Sequence, residues 1–168
     1  MSAATPCKSG NIRFGREALV ASYGKKYSPR DTARAMSEEN VEKVRRSVAA
    51  YNRGDIEGAL EEWAPDAVWD WSKGHGFDAG VYRGRDEIRA FWQERLAAFE
   101  EIRIELVDLR EVEDDLLIVE NIGYVRGRDG IEAEARSTWL IGFQDGEQTS
   151  LTLYQTKQDA LEAAGLEK

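Results

Sequence analysis

Apolar positions along the chain follow two different rhythms. From Ser37 onward, Val41, Val44, Val48 and Tyr51 recur at i, i+3, i+7 and i+10, which is one face of a helix. Ser37 followed by Glu38 and Glu39 reads as the opening of that helix, and Gly54 as its stop. Asp55 caps a second, short helix carrying Ile56, Leu60 and Trp63, which Pro65 ends. Residues 67–72 (AVWDWS) alternate as a strand, with Val68, Asp70 and Ser72 on one face and Trp69 and Trp71 on the other. A Gly-rich loop covers residues 73–80. A third helix follows Gly84, with Ile88, Phe91, Trp92, Leu96 and Phe99 on one side and Asp86 and Glu87 in its first turn.

At Ile102 the period switches to two. Residues 102–112, 116–126, 131–143 and 148–155 read as strands, joined by hairpin turns at 113–115, 127–130 and 144–147. Thr156 and Asp159 open a last short helix in capping-box spacing, and Gly165 stops it. Helices first and an antiparallel meander afterwards define an α+β fold. The expected architecture is a curved antiparallel sheet with the three N-terminal helices over its concave face, enclosing an apolar pocket.

The first thirty-five residues differ from the rest. They show no sustained apolar period and hold seven basic residues against two acidic ones. They are expected to form a disordered or loosely packed tail, or an upstream extension before a natural start at Met36, with organellar targeting as a further alternative. Residues 36–168 are expected to form one domain. With a net charge of −9, the +5 balance of residues 1–35 leaves −14 on that domain. This argues against nucleic acid, which needs clustered Lys and Arg. No apolar run is long enough to span a membrane. A single cysteine, Cys7, forms no internal disulfide and fits a reducing cytoplasm, and one His beside one Cys offers no ordinary transition-metal site.

The run VEKVRRSVAAYNRGDIEGALEEWAPDAVWDW, then VYRGRDEIRAFWQERLAAF, and the close RSTWLIGFQDGEQTSLTLYQTKQDALEAAGL resemble proteins of the SnoaL-like and nuclear-transport-factor-2-like superfamily, over roughly residues 36–165. The resemblance implies a cystatin-like α+β cone, a homodimer and no cofactor. It leaves activity open, because the scaffold hosts cyclases, isomerases, dehydratases, epoxide hydrolases and proteins without catalysis. The ketosteroid isomerase branch places a Tyr on the first helix and an Asp on each of two strands. Aligned on NRGD and FQDG, this chain has Ser47, Trp71 and Trp139 there, so that chemistry does not carry over. The alignment does place those three residues against the cavity. The epoxide hydrolase branch would need Glu134 and Arg136 inward, whereas a solvated outer face (Glu132, Glu134, Arg136, Thr138) opposite Ala133, Ala135, Ser137, Trp139 and Ile141 explains the strand more simply.

Three titratable residues are candidates for acid–base chemistry. Asp70 sits between two Trp and is either a pocket carboxyl with raised pKa or an outward residue that ties down the loop after it. Glu120 interrupts an apolar strand and is either a pocket group or a salt-bridge partner, with Arg136 a candidate. His75, in KGHGFDAG, is either a proton shuttle over the pocket or a solvated loop residue. Tyr82, Tyr124 and Tyr154 are expected to join Ser47, Trp71 and Trp139 as ligand-binding groups, since Tyr and Trp combine an apolar body with a polar edge. Two functions follow: a pocket for a small apolar or aromatic molecule with cofactor-independent lyase, isomerase or cyclase chemistry, or a non-catalytic binding or dimerisation module.

Overall fold

The computed structural model describes residues 29–75, 78–113 and 115–166. The chain divides into two units, Met1–Ala35 and Met36–Lys168. The expectations for residues 1–28 lie outside the described residues.

Helix α1 spans Pro29–Asn52, so it starts before Ser37, which lies inside it rather than capping it. Pro29 suits a first helical position, where its missing N–H leaves nothing unpaired. The buried stripe runs through Asn40, Val44, Ser47 and Tyr51, with Val41 and Val48 packed at its margin. The end is a Schellman motif: Gly54 at φ 79° turns the chain, Gly54 N–H donates to Tyr51 O and Asp55 N–H to Ala50 O. Asp55 then caps α2 (Ile56–Leu60) by accepting from Gly58 N at 2.9 Å.

Strand β1 is Trp63–Asp70, earlier than the sequence pattern suggests, and contains Pro65. Proline is tolerated because the ladder with the neighbouring strand breaks between Trp63 and Val68. A three-residue strand, β2 (Val81–Arg83), is one the sequence did not announce. It leads into α3 (Gly84–Ala98), where Glu87 accepts from Arg83 N–H. The meander follows as β3 (Glu101–Glu113), β4 (Leu116–Arg126), β5 (Glu132–Gln144) and β6 (Glu147–Tyr154), within a residue or so of the expected runs. Asp145 and Gly146 both take positive φ in the two-residue turn between β5 and β6, the geometry an Asp-Gly hairpin favours. Helix α4 (Lys157–Ala163) opens as expected, Thr156 accepting from Asp159 N–H at 3.1 Å.

The six strands form one sheet in the order β2-β1-β6-β5-β4-β3. All neighbours are antiparallel except β1 and β6, which run parallel, a departure from the all-antiparallel expectation. Register breaks in β3 at Leu106/Asp108 and in β5 at Gly142/Phe143 bend the sheet. Helices α1, α2 and α3 pack on its inner face, around a core that includes Val44, Leu60, Ile88, Trp92, Val119 and Ile141. Helix α4 covers part of the outer face, where Ile118, Leu140, Tyr154 and Ala160 form a second cluster. Leu140 and Tyr154 therefore belong to an intramolecular contact. Among the described residues no helix is long and apolar enough to cross a membrane.

Candidate functional site

Strand alternation decides which residues the concave face receives. Residues paired directly across an antiparallel ladder point the same way, so Val119 with Trp139, Asn121 with Ser137 and Gly123 with Ala135 share one face. That face, closed by Val44, Ser47 and Tyr51 of α1 and by Phe91, Trp92 and Arg95 of α3, bounds a cavity of about 290 Å³. Its walls include nine Phe, Tyr and Trp residues. Trp69 and Trp71 lie stacked at 5.9 Å between ring centroids, and Trp71 stands 6.2 Å from Trp139. Each such pair adds roughly 0.5–1.5 kcal/mol beyond area burial, so these walls hold their shape.

Polar groups are few and placed in two sets. Near the loop after β1, Arg95 pairs with Asp78, both largely buried, and the guanidinium lies 5.9 Å from the Trp71 ring centre. Burial pushes the Tyr51 phenol up, and the charge of Arg95 opposes that shift. Deeper in the fold, Ser47 donates to Ala59 O at 2.9 Å and accepts from Trp63 Nε1 at 3.1 Å. Gln148, fully buried, donates through Nε2 to Glu62 O at 3.1 Å. Asn121 accepts from Ser137 Oγ at 3.0 Å.

The expected site residues separate cleanly. Ser47, Trp71, His75 and Trp139 border the cavity. Asp70 does not: it accepts from Ser72 N–H at 3.0 Å and from the Ser72 hydroxyl, tying down the following loop. That Ser72 hydroxyl, seconded by its N–H, holds the Asp70 carboxyl below the usual carboxylate range against a smaller effect of burial. A pocket base would be shifted the other way. Glu120 pairs in register with Thr138 on the outer face and forms an ion pair with Lys157 of α4 at 2.7 Å, so neither the pocket role nor the Arg136 partnership holds. Tyr124 pairs in register with Arg103, whose guanidinium lies 4.3 Å from its ring centre, and with Glu134, and it also borders the cavity. Tyr154 is buried in the outer cluster, with Lys73 Nζ 4.0 Å above its ring. Tyr82 stacks on Phe91 at 4.3 Å and donates to Asp78 O, which commits its hydroxyl to the loop. Glu134 and Arg136 lie opposite Tyr124 and Ile122, both exposed, and both also border the cavity.

Sequence reasoning missed Arg95, Asn121 and Gln148. Asn121 had a signal, as an amide on the inward phase of a strand whose other inward residues are apolar, whereas Gln148 reaches the inner side only through the register shift between β5 and β6. Arg95 is masked by its place on a helix that carries several charges.

A sheet of this order with its helices on the concave face and an aromatic-lined cavity between them defines an α+β cone protein. The chain belongs to the SnoaL-like domain family, which it matches over residues 44–151. No curated protein matches it. Among solved structures, it is similar to TerC co-crystallized with polyporic acid, at 22% identity over 74% of this chain and 96% of that one, with a TM-score of 0.63. It is similar also to RV0760c from Mycobacterium tuberculosis in complex with estradiol-17beta-hemisuccinate, at 17% identity, 71% and 95% coverage and a TM-score of 0.62. The Delta 5-3-ketosteroid isomerase from Mycobacterium sp. is a third, at 20% identity, 70% and 93% coverage and a TM-score of 0.61. At these identities the likeness is one of fold.

Proposed function

We propose that this domain binds one small, flat, largely apolar molecule within the concave chamber, and that binding rather than acid–base turnover is its activity. The observation that carries this reading is the chamber of about 290 Å³ walled by Trp69, Trp71, Trp139 and Phe91. Fused or linked rings match such walls in both shape and polarity. That TerC and RV0760c are described with ring compounds supports the same class of ligand. Lyase, isomerase or cyclase chemistry is less well served. Of Asp70, His75 and Glu120 only His75 borders the chamber, and the largely buried Arg95 and Asp78 neutralise each other. The single cysteine is the ground for placing the protein in the cytoplasm.

A thermal-shift panel of flat ring compounds against linear alkyl compounds of equal carbon number tests the reading. A ligand held at a hundredfold excess over its Kd adds about 2.7 kcal/mol to stability, which at this chain length is a rise on the order of 5 °C. Rings should stabilise and chains should not. Equal responses, or none, would remove the basis for the proposal.

A further inference from the structure

Strand β3 is an edge of the sheet, so the backbone groups it turns away from β4 have no further strand to pair with. At Ile104 they meet a side chain instead. Asn52, the last residue of α1, donates from Nδ2 to Ile104 O at 2.8 Å and accepts through Oδ1 from Ile104 N–H at 2.8 Å. A residue of a neighbouring strand would make the same two-bond exchange. The sense of the amide is fixed, because the flipped amide would set oxygen against oxygen and N–H against N–H. Asn52 is itself exposed, so the two hydrogen bonds, and not burial, hold its side chain there.

The contact closes a seam in the chamber wall. Val48 and Tyr51 of α1 and Ile102 and Ile104 of β3 line the chamber on the two sides of it. From β3 onward the sheet is continuous, through β4, β5 and β6 to β1. Farther back, α1 is tied by Lys43 to Gly146 O, by Arg46 to Glu62 and by Ser47 to Ala59 O. Its end is tied to β3 through Asn52. Residues 101–106 of β3 pair with β4 on one side, and the register break at Leu106/Asp108 uncouples them from the rest of the strand. That segment can therefore lean outward once its second side is released. We infer that Asn52 is a positioning residue that sets the width of the chamber, and with it the size of guest, by holding Ile102 and Ile104 inward. This rests on the reading of the chamber as a ligand site and adds what limits its guest.

The test compares two fluorescent probes of different width, 2-naphthol and 1-hydroxypyrene, by titration of the full chain. The quantity read is the affinity for 1-hydroxypyrene relative to 2-naphthol, which a general loss of stability does not move. In Asn52→Ala that ratio should rise about threefold or more, the worth of one weak net hydrogen bond. Asn52→Asp should shift it the same way, because a carboxylate keeps the acceptor but faces Ile104 O with a second oxygen. Arg46→Ala, which cuts a different exposed tie of α1, should leave the ratio unchanged. An unaltered ratio in the Asn52 variants, or an equal rise in Arg46→Ala, overturns the inference with the chamber still a ligand site. If neither probe binds the native chain, the ligand-site reading falls and this inference with it. Asn52→Asp, nearly the same shape as the native residue, decides the matter even if Asn52→Ala folds poorly.

Discussion

Glu120 and Trp139 occupy adjacent register positions on β4 and β5 yet face opposite sides of the sheet, because Glu120 pairs with Thr138 and Val119 pairs with Trp139. One pairing step thus separates a surface ion pair from the wall of the chamber. Glu120→Gln should leave ligand binding unchanged and lower stability by about 0.2–1 kcal/mol, the range for partly exposed ion pairs, with the loss fading at high salt. Denaturant titration at low and high salt measures it; weakened ligand binding would place Glu120 in the site after all.

Asp70 gives a pH prediction of definite sign. Its carboxyl is held below the usual range by Ser72, so the folded state favours the ionised form. That stability is fully present above the ordinary carboxylate pKa of about 3.9 and is lost as pH falls through the lower folded value. Asp70→Asn should flatten the acid limb of the stability profile and change little between about pH 5 and 8. A step near neutral pH that the variant abolishes would reveal a raised, pocket-type carboxyl instead.

Trp139 is only 3% exposed and its indole N–H has no partner among the described residues. Trp139→Ala should cost about 3–5 kcal/mol through lost packing. Trp139→Phe should cost clearly less, because no protein hydrogen bond is broken. Equilibrium denaturation of both variants checks this, and a surface-like cost of under about 0.5 kcal/mol for Trp139→Ala would put the β5 register in error by one.

The homodimer that the family resemblance implies needs a free stretch of outer sheet. Thr138, Leu140 and Tyr154 are buried, the latter two in the cluster beneath α4. The remaining outer face of β3 to β5, with Val107 half exposed at a bulge, is where a second copy should dock. Sedimentation at micromolar concentration should give twice the chain mass, shifting to monomer in Val107→Glu. A clean native monomer would exclude it.

What was legible in the sequence was whatever local chemistry decides. The Thr156 cap, the Asp-Gly turn and the strand limits of the meander each follow from a few neighbouring residues. What was not legible depended on distant partners. Strand β2 has three residues and exists because β1 pairs with it; the parallel contact of β1 with β6 joins segments some eighty positions apart. The faces of Tyr124 and Tyr154 were hidden for a different reason. With α4 covering part of the outer sheet, β4 carries Ile118 and Ile122 outward as well as Leu117 and Val119 inward, so hydrophobicity no longer marks one face. Trp139 was legible because its strand keeps a polar face beside an apolar one.

The most direct test of the central claim is to fill the chamber. Gly123 points inward beside Ala135, and a Cβ there would meet nothing nearer than Ala135 O at 3.9 Å. Calorimetric titration with the flat ring compound that stabilises the native chain most in the thermal-shift panel should give one site per native chain and none in Gly123→Phe, with the variant as stable as the native protein. Undiminished binding to a folded Gly123→Phe would contradict the account, because the ligand would then lie somewhere other than the chamber.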